Sequence, residues 1–150
     1  MDQILAPTST PAAATTGSAT AAAATRPSLE RWRLAPNGRV RDLFATDAHR
    51  VVSAAMHLWP FFIAVVGPFA VLVPLVLWLA FRKSSPLVDD HGRECMNAQL
   101  TLLILALVPC IGWLALIAWL PVSLVSLVRG AVAAASGEIF RYPALIRAIR

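Results

Sequence analysis

The stretch that decides the fold is Val51–Phe81, VVSAAMHLWPFFIAVVGPFAVLVPLVLWLAF, which holds no Asp, Glu, Lys or Arg over 31 residues. A second such run, Cys95–Val128, reads CMNAQLTLLILALVPCIGWLALIAWLPVSLVSLV over 34 residues. About 20 apolar residues at about 1.5 Å each cross a hydrocarbon layer about 30 Å thick, so each run is long enough to span a bilayer. Each also exceeds one untilted span and carries a breaker near its middle. Gly67-Pro68 divides the first, because proline lacks the backbone N–H and turns the residue before it away from helix. Pro109 and Gly112 divide the second. The breakers predict helices at about 49–66, 69–83, 86–111 and 113–135, an all-α integral membrane protein of four short transmembrane helices arranged as two helical hairpins. Two long, kinked spans are the alternative.

Charge placement favours the hairpins. Of 150 residues, 58% are hydrophobic and 14% charged, where a soluble domain carries about 25% charged. All 13 Lys and Arg lie outside the two runs. Hairpins send only uncharged turns across the bilayer and keep every basic group on one side, the positive-inside pattern of a bacterial cytoplasmic (inner) membrane protein with both termini cytoplasmic. Two long spans would have to translocate Arg82, Lys83 and Arg93. The net charge of +5 is spread over several flanking segments and forms no nucleic-acid stripe, so the lipid bilayer is the expected partner and nucleic acid is not.

Residues 1–48 read as a disordered Ala/Thr/Pro-rich tail followed by a polar juxtamembrane segment, with 49–150 as the membrane domain. The tail lacks the basic front and apolar core of a signal peptide, which leaves targeting to the first span. Pro36-Asn37-Gly38 marks a turn.

The richest polar block, Ser84 to Gln99, leads into the third helix. Ser85 is a cap, Pro86 suits the first helical position, and Asp89 and Asp90 sit where the helix dipole favours anions. Asp89, Arg93 and Asn97 share one face, and Asp90 and Glu94 the next. Capping and pairing account for these groups; a cation site made by Asp90, His91 and Glu94 would lack a second ligand cluster. His57, Asn97 and Gln99 lie within the apolar runs, where polar groups bond across helices or line a pathway. Ser126, Gly130 and Ala134, four apart, form a strip for close approach of another helix, internal or from a second copy. Cys95 and Cys110, about 22 Å apart along one helix, are beyond disulfide reach. Gly137 can end the last helix, and Tyr142-Pro143 can restart a short interfacial C-terminal helix. No catalytic triad, zinc motif or phosphate loop is present, so neither catalysis, a metal nor a cofactor is expected.

From about His57 to Arg150 the chain resembles the Tic-twenty-like family of small bacterial membrane proteins, distant relatives of a chloroplast inner-envelope import component and similar to some magnetosome-membrane proteins. The resemblance rests on Ser85–Glu94, including Asp89, Asp90, His91, Gly92, Arg93 and Glu94, followed by Asn97 and Gln99. It rests equally on Gly137-Glu138-Ile139-Phe140-Arg141-Tyr142-Pro143, with His57 and Gly67-Pro68 in support. Cys95 replaces the family's usual alanine, and Ala98 an aromatic residue. The resemblance implies no catalytic residues. Together these readings lead to a non-enzymatic scaffold or assembly factor that packs with itself or other membrane proteins; the alternative is a transporter or translocation-pore subunit lined by His57, Asn97 and Gln99.

Overall fold

The computed structural model describes residues 31–149; the tail expected to be disordered lies, up to Glu30, outside the described residues. Within 31–149 the order is β1 (Trp32–Leu34), β2 (Val40–Asp42), α1 (Asp47–His57), α2 (Ile63–Val66), α3 (Val73–Phe81), α4 (Pro86–Leu107) and α5 (Ile111–Ala135). Short 3₁₀ turns, Trp59–Phe62 and Gly67–Leu72, flank α2.

Among the described residues Trp59–Phe81 and Ile111–Ala135 are the two stretches long and apolar enough to cross a membrane, with mean hydropathies of 2.5 and 2.2. The first is not straight. Gly67 takes φ 62°, ψ −148°, a backbone region open essentially to glycine alone, and the chain reverses there so that α3 packs beside α1. The helix predicted over 49–66 is therefore only partly α: Pro60 converts its second half to 3₁₀ turns and a single short helix. The second reversal spans Val108–Cys110, with Cys110 at φ 58°. Pro109, one of the two expected breakers, lies in this turn, whereas Gly112, the other, lies in the first turn of α5, where a Cβ would run into the Leu105 carbonyl and come 2.7 Å from Val108 Cβ. Its role is close helix approach, and the turn lies just ahead of it.

The central element is α4, which touches α1, α3 and α5. Its start follows the sequence: Ser85 accepts from the Leu87 N–H and Pro86 occupies the first turn. At the end of α5, the Gly137 N–H donates to the Ala134 carbonyl and the Glu138 N–H to the Ala133 carbonyl. With Gly137 at φ 73°, this is a Schellman closure.

Before α1, Pro36-Asn37-Gly38 does turn the chain, and the flanking residues pair as an antiparallel β-hairpin, Trp32 opposite Asp42 and Leu34 opposite Val40. The Asp42 N–H donates to the Gly137 carbonyl and the Ile139 N–H to the Val40 carbonyl, which ties the hairpin to the chain leaving α5. Among the described residues after Gly137 there is no helix. The expected interfacial C-terminal helix is replaced by irregular backbone through Ile149, with Ala144 at φ 53°, because side chains of α4 hold this backbone in place of helical bonds.

Burial is inverted relative to a water-soluble protein. The buried set includes His57, His91, Glu94, Asn97, Thr101, Ser123 and Ser126, whereas Val65, Ile111, Leu107, Phe69, Leu114 and Ile117 are each 69–80% exposed. So much exposed aliphatic and aromatic surface is unfavourable in water and neutral against lipid tails.

Candidate functional site

The candidate site lies where the end of α1, the start of α4 and the end of α5 meet the segment after Gly137. α1 begins with Thr46 and His49 in a reciprocal cap and ends by inserting His57 into the bundle, where it is fully buried. Room for the imidazole comes from Gly130: a Cβ there would stand 2.7 Å from His57 Nδ1. Ser126, Gly130 and Ala134 are all buried, and Gly130 receives a residue of α1. The approach strip thus serves an internal neighbour.

His57 is the centre of a buried polar chain. Its Nδ1 is 2.7 Å from the Tyr142 hydroxyl, its Nε2 is 2.8 Å from His91 Nδ1, and His91 Nε2 is 2.9 Å from the Glu138 carbonyl oxygen. A carbonyl only accepts, so His91 Nε2 carries hydrogen. With both rings neutral, His91 Nδ1 must accept from His57 Nε2–H, and His57 Nδ1 accepts from the Tyr142 O–H. One carbonyl orients the whole series. Cys95 Sγ approaches the same His57 nitrogen at 3.4 Å, and Phe140 and Tyr142 close over the His57 ring. Burial pushes the Tyr142 phenol well above its ordinary value.

Around this chain lies a ring of ion pairs. Arg141 donates from Nη1 and Nη2 to Asp90 at 2.7 and 2.6 Å, and its Nε is 3.4 Å from Glu94. The hydrogen bonds to Asp90 hold the Arg141 guanidinium above its usual value. Arg147 reaches Glu94 at 3.4 Å, and among the described residues the buried Glu94 Oε2 has no partner. Arg93 pairs with Asp89, which also accepts from the Trp78 indole N–H at 2.9 Å. Gly92 is where that indole lies against α4; a Cβ would come 2.9 Å from Trp78 Cβ and closer still to the ring. Glu138 accepts from Asn37 at 2.8 Å and faces Arg39 at 3.6 Å. Pro143 borders a groove beside α5.

Two of the three residues considered as pathway lining are occupied by backbone. Asn97 Oδ1 accepts from the N–H groups of Ala148 and Ile149, and its Nδ2 donates to the Ile149 carbonyl. Gln99 donates to the Val71 carbonyl. Thr101 accepts from the Ile146 N–H at 3.0 Å. The sequence blocks 85–94 and 137–143 are thus joined through Asp90–Arg141 and His91–Glu138. The sequence does not pair His57 with Tyr142; Thr101, expected to bond between helices, instead bonds the C-terminal backbone, and Arg147, expected to snorkel at the membrane surface, meets Glu94, while the small residues Gly92 and Gly130 are the available signal of close packing. Among the described residues no group of three or more His, Cys, Asp or Glu is arranged to hold a metal ion. Both cysteines are free, Cys95 buried and Cys110 exposed.

Residues 48–149 match the family model of the magnetosome magnetite crystal formation protein family. No curated protein and no solved structure matches the chain.

Proposed function

Because the chain belongs to the magnetosome magnetite crystal formation protein family, we propose that it is a non-enzymatic, multi-pass scaffold of a bacterial magnetosome membrane that contributes to magnetite crystal formation. It crosses four times as two hairpins. The site residues and both termini share the cytoplasmic side, and the turns at Gly67-Pro68 and Val108–Cys110 reach the other face. Its partners are the bilayer and further membrane proteins or copies of itself, met along the exposed apolar faces of α5 and the first hairpin.

The observation that carries this reading is the junction of the two sequence blocks, Asp90 with Arg141 and His91 with the Glu138 carbonyl. It gives a membrane-embedded bundle one rigid polar end on which an assembly can be built. Deleting the protein from a magnetosome-forming bacterium should shift the crystal size distribution. The full chain should restore it, and a chain ending at Ser136 should not. Normal crystals in the deletion strain would end the proposal. Topology is tested with Cys110: an impermeant maleimide must reach it from the non-cytoplasmic side only.

The import-component likeness suggests a pore as the second reading. Against it stand the bonds of Asn97 and Gln99 to main chain, and the cavity of about 140 Å³ beside Gln99, which is otherwise mostly walled by Trp59, Leu102, Trp119 and Leu127. Flux in liposomes that is lost on replacing His57, Asn97 and Gln99 together would favour the pore.

A further inference from the structure

Arg129 lies on α5 inside the candidate membrane span Ile111–Ala135, one residue beyond the uncharged run that ends at Val128. Among the described residues no carboxylate pairs with it. It stands at one end of a groove of about 510 Å³ whose walls are Pro121, Val122 and Val125 of α5 and Phe140 and Pro143 of the C-terminal segment. Arg141 also borders the groove, but its charge is met by Asp90, as that of Arg39, stacked on Phe140, is met by Glu138. The local balance leaves one positive charge, that of Arg129.

Depth says what can answer it. The 25 residues of α5 measure about 37 Å against a hydrocarbon layer of about 30 Å. Arg129 is six residues before Ala135, about 9 Å along the axis, so with α5 centred its Cα lies about 5 Å inside the hydrocarbon. The side chain must reach up to the glycerol and phosphate level. From Arg129 down to Pro121 the groove follows α5 for about 12 Å, lined by Pro121, Val122, Val125 and the buried Ser126, with Val122 and Val125 exposed along it. A guanidinium at phosphate depth above an apolar channel matches the two halves of one lipid molecule.

We propose that this groove is a binding site for a single anionic phospholipid, its phosphodiester on Arg129 and one acyl chain along Val125, Val122 and Pro121. The proposal rests on the membrane-spanning reading of α5 but not on any role in crystal formation.

The test uses the full chain in nanodiscs of phosphatidylcholine containing a minor share of phosphatidylglycerol, with retained lipid counted by native mass spectrometry after release. One phosphatidylglycerol should be retained in preference to phosphatidylcholine. R129Q should lower that retention about fivefold, the effect of one basic group at an anionic surface. R129K should keep most of it, and R33Q, on the β-hairpin, should change nothing. V125W, which fills the channel and leaves the charge, should lose the lipid. Equal retention of the two lipids, unchanged retention in R129Q, or displacement by soluble glycerol phosphate would overturn the site, the last by showing a phosphate pocket without a lipid channel. If R129Q does not assemble, loss in V125W with retention in R129K supports the site, and retention in both overturns it. A chain that never enters nanodiscs would instead sink the membrane reading itself.

Discussion

At the end of the bundle that carries His57, side chains are buried and bonded to one another across four separate stretches of chain. At the opposite end, around Phe61–Leu72 and Leu107–Leu114, almost every large side chain is exposed, from Val65 at 80% to Phe62 at 36%. Local order there comes from the backbone: two 3₁₀ turns without side-chain caps, Gly67 at φ 62° and Cys110 at φ 58°. The first end is specified by contacts that only one arrangement satisfies. The second is specified by turn geometry and completed by lipid. Substitutions should therefore act through packing and hydrogen bonds at one end and through backbone conformation at the other.

The largest effect should follow from Gly92→Ala. The new methyl group meets the Trp78 ring, itself fixed by its bond to Asp89, and overpacking of this kind costs about 3 kcal/mol. Unfolding in mixed micelles, followed by denaturant titration, measures it. Adding Trp78→Ala should recover part of the loss, since the two changes share one contact. Full additivity would mean that the close approach of α3 and α4 is not what requires glycine.

Gly67→Ala comes next and sharpens the contrast, because nothing lies within 4 Å of its virtual Cβ. Any cost there is purely conformational, about 2 kcal/mol for a non-glycine residue forced into that region. Val65→Ala, on the neighbouring exposed position, should cost almost nothing in a bilayer. If Val65→Ala cost more than Gly67→Ala, the far end would be held by packing after all.

This division also sets how much was legible in the sequence. Turn chemistry is local, so Gly67-Pro68, Pro36-Asn37-Gly38, the Ser85-Pro86 start and the Gly137 stop could all be read from adjacent residues. The Arg93–Asp89 pair followed from helical spacing. The His57–His91–Tyr142 chain joins residues 34 and 85 positions apart, and no local rule places them together. The C-terminal segment misled for a related reason. Its sequence favours an amphipathic helix, but Asn97 and Thr101 supply bonds to the backbone of Ile146, Ala148 and Ile149, and irregular backbone is stable once protein groups satisfy it. Gly112 reads as a breaker in sequence but is a contact glycine in the structure, since both roles call for the same residue.

Within the polar end, Tyr142→Phe should remove one donor and leave His57 Nδ1 with only the Cys95 thiol nearby, at a cost of about 1 kcal/mol. The phenyl ring keeps the stacking on His57, so the loss isolates the hydroxyl. A nitrogen-15 spectrum of the histidines should show a perturbed His57 Nδ1. An unchanged spectrum would break the proton order that the Glu138 carbonyl imposes.

The smallest effect should come from the most visible contact. Arg141 and Asp90 form a two-pronged pair, but the Arg141 side chain is 51% exposed, and solvent screening reduces such pairs to about 0.5 kcal/mol. A double-mutant cycle with Asp90→Asn and Arg141→Gln should return a coupling of that size, falling as salt is raised. Arg141 also faces Glu94 at 3.4 Å, so Arg141→Gln alone should cost more than Asp90→Asn alone. A coupling well above that of Tyr142 would mean that the ring of ion pairs, and not the buried histidine chain, fixes the C-terminal segment to α4. The contrast between the two ends would then be one of charge against lipid, with the buried hydrogen bonds secondary.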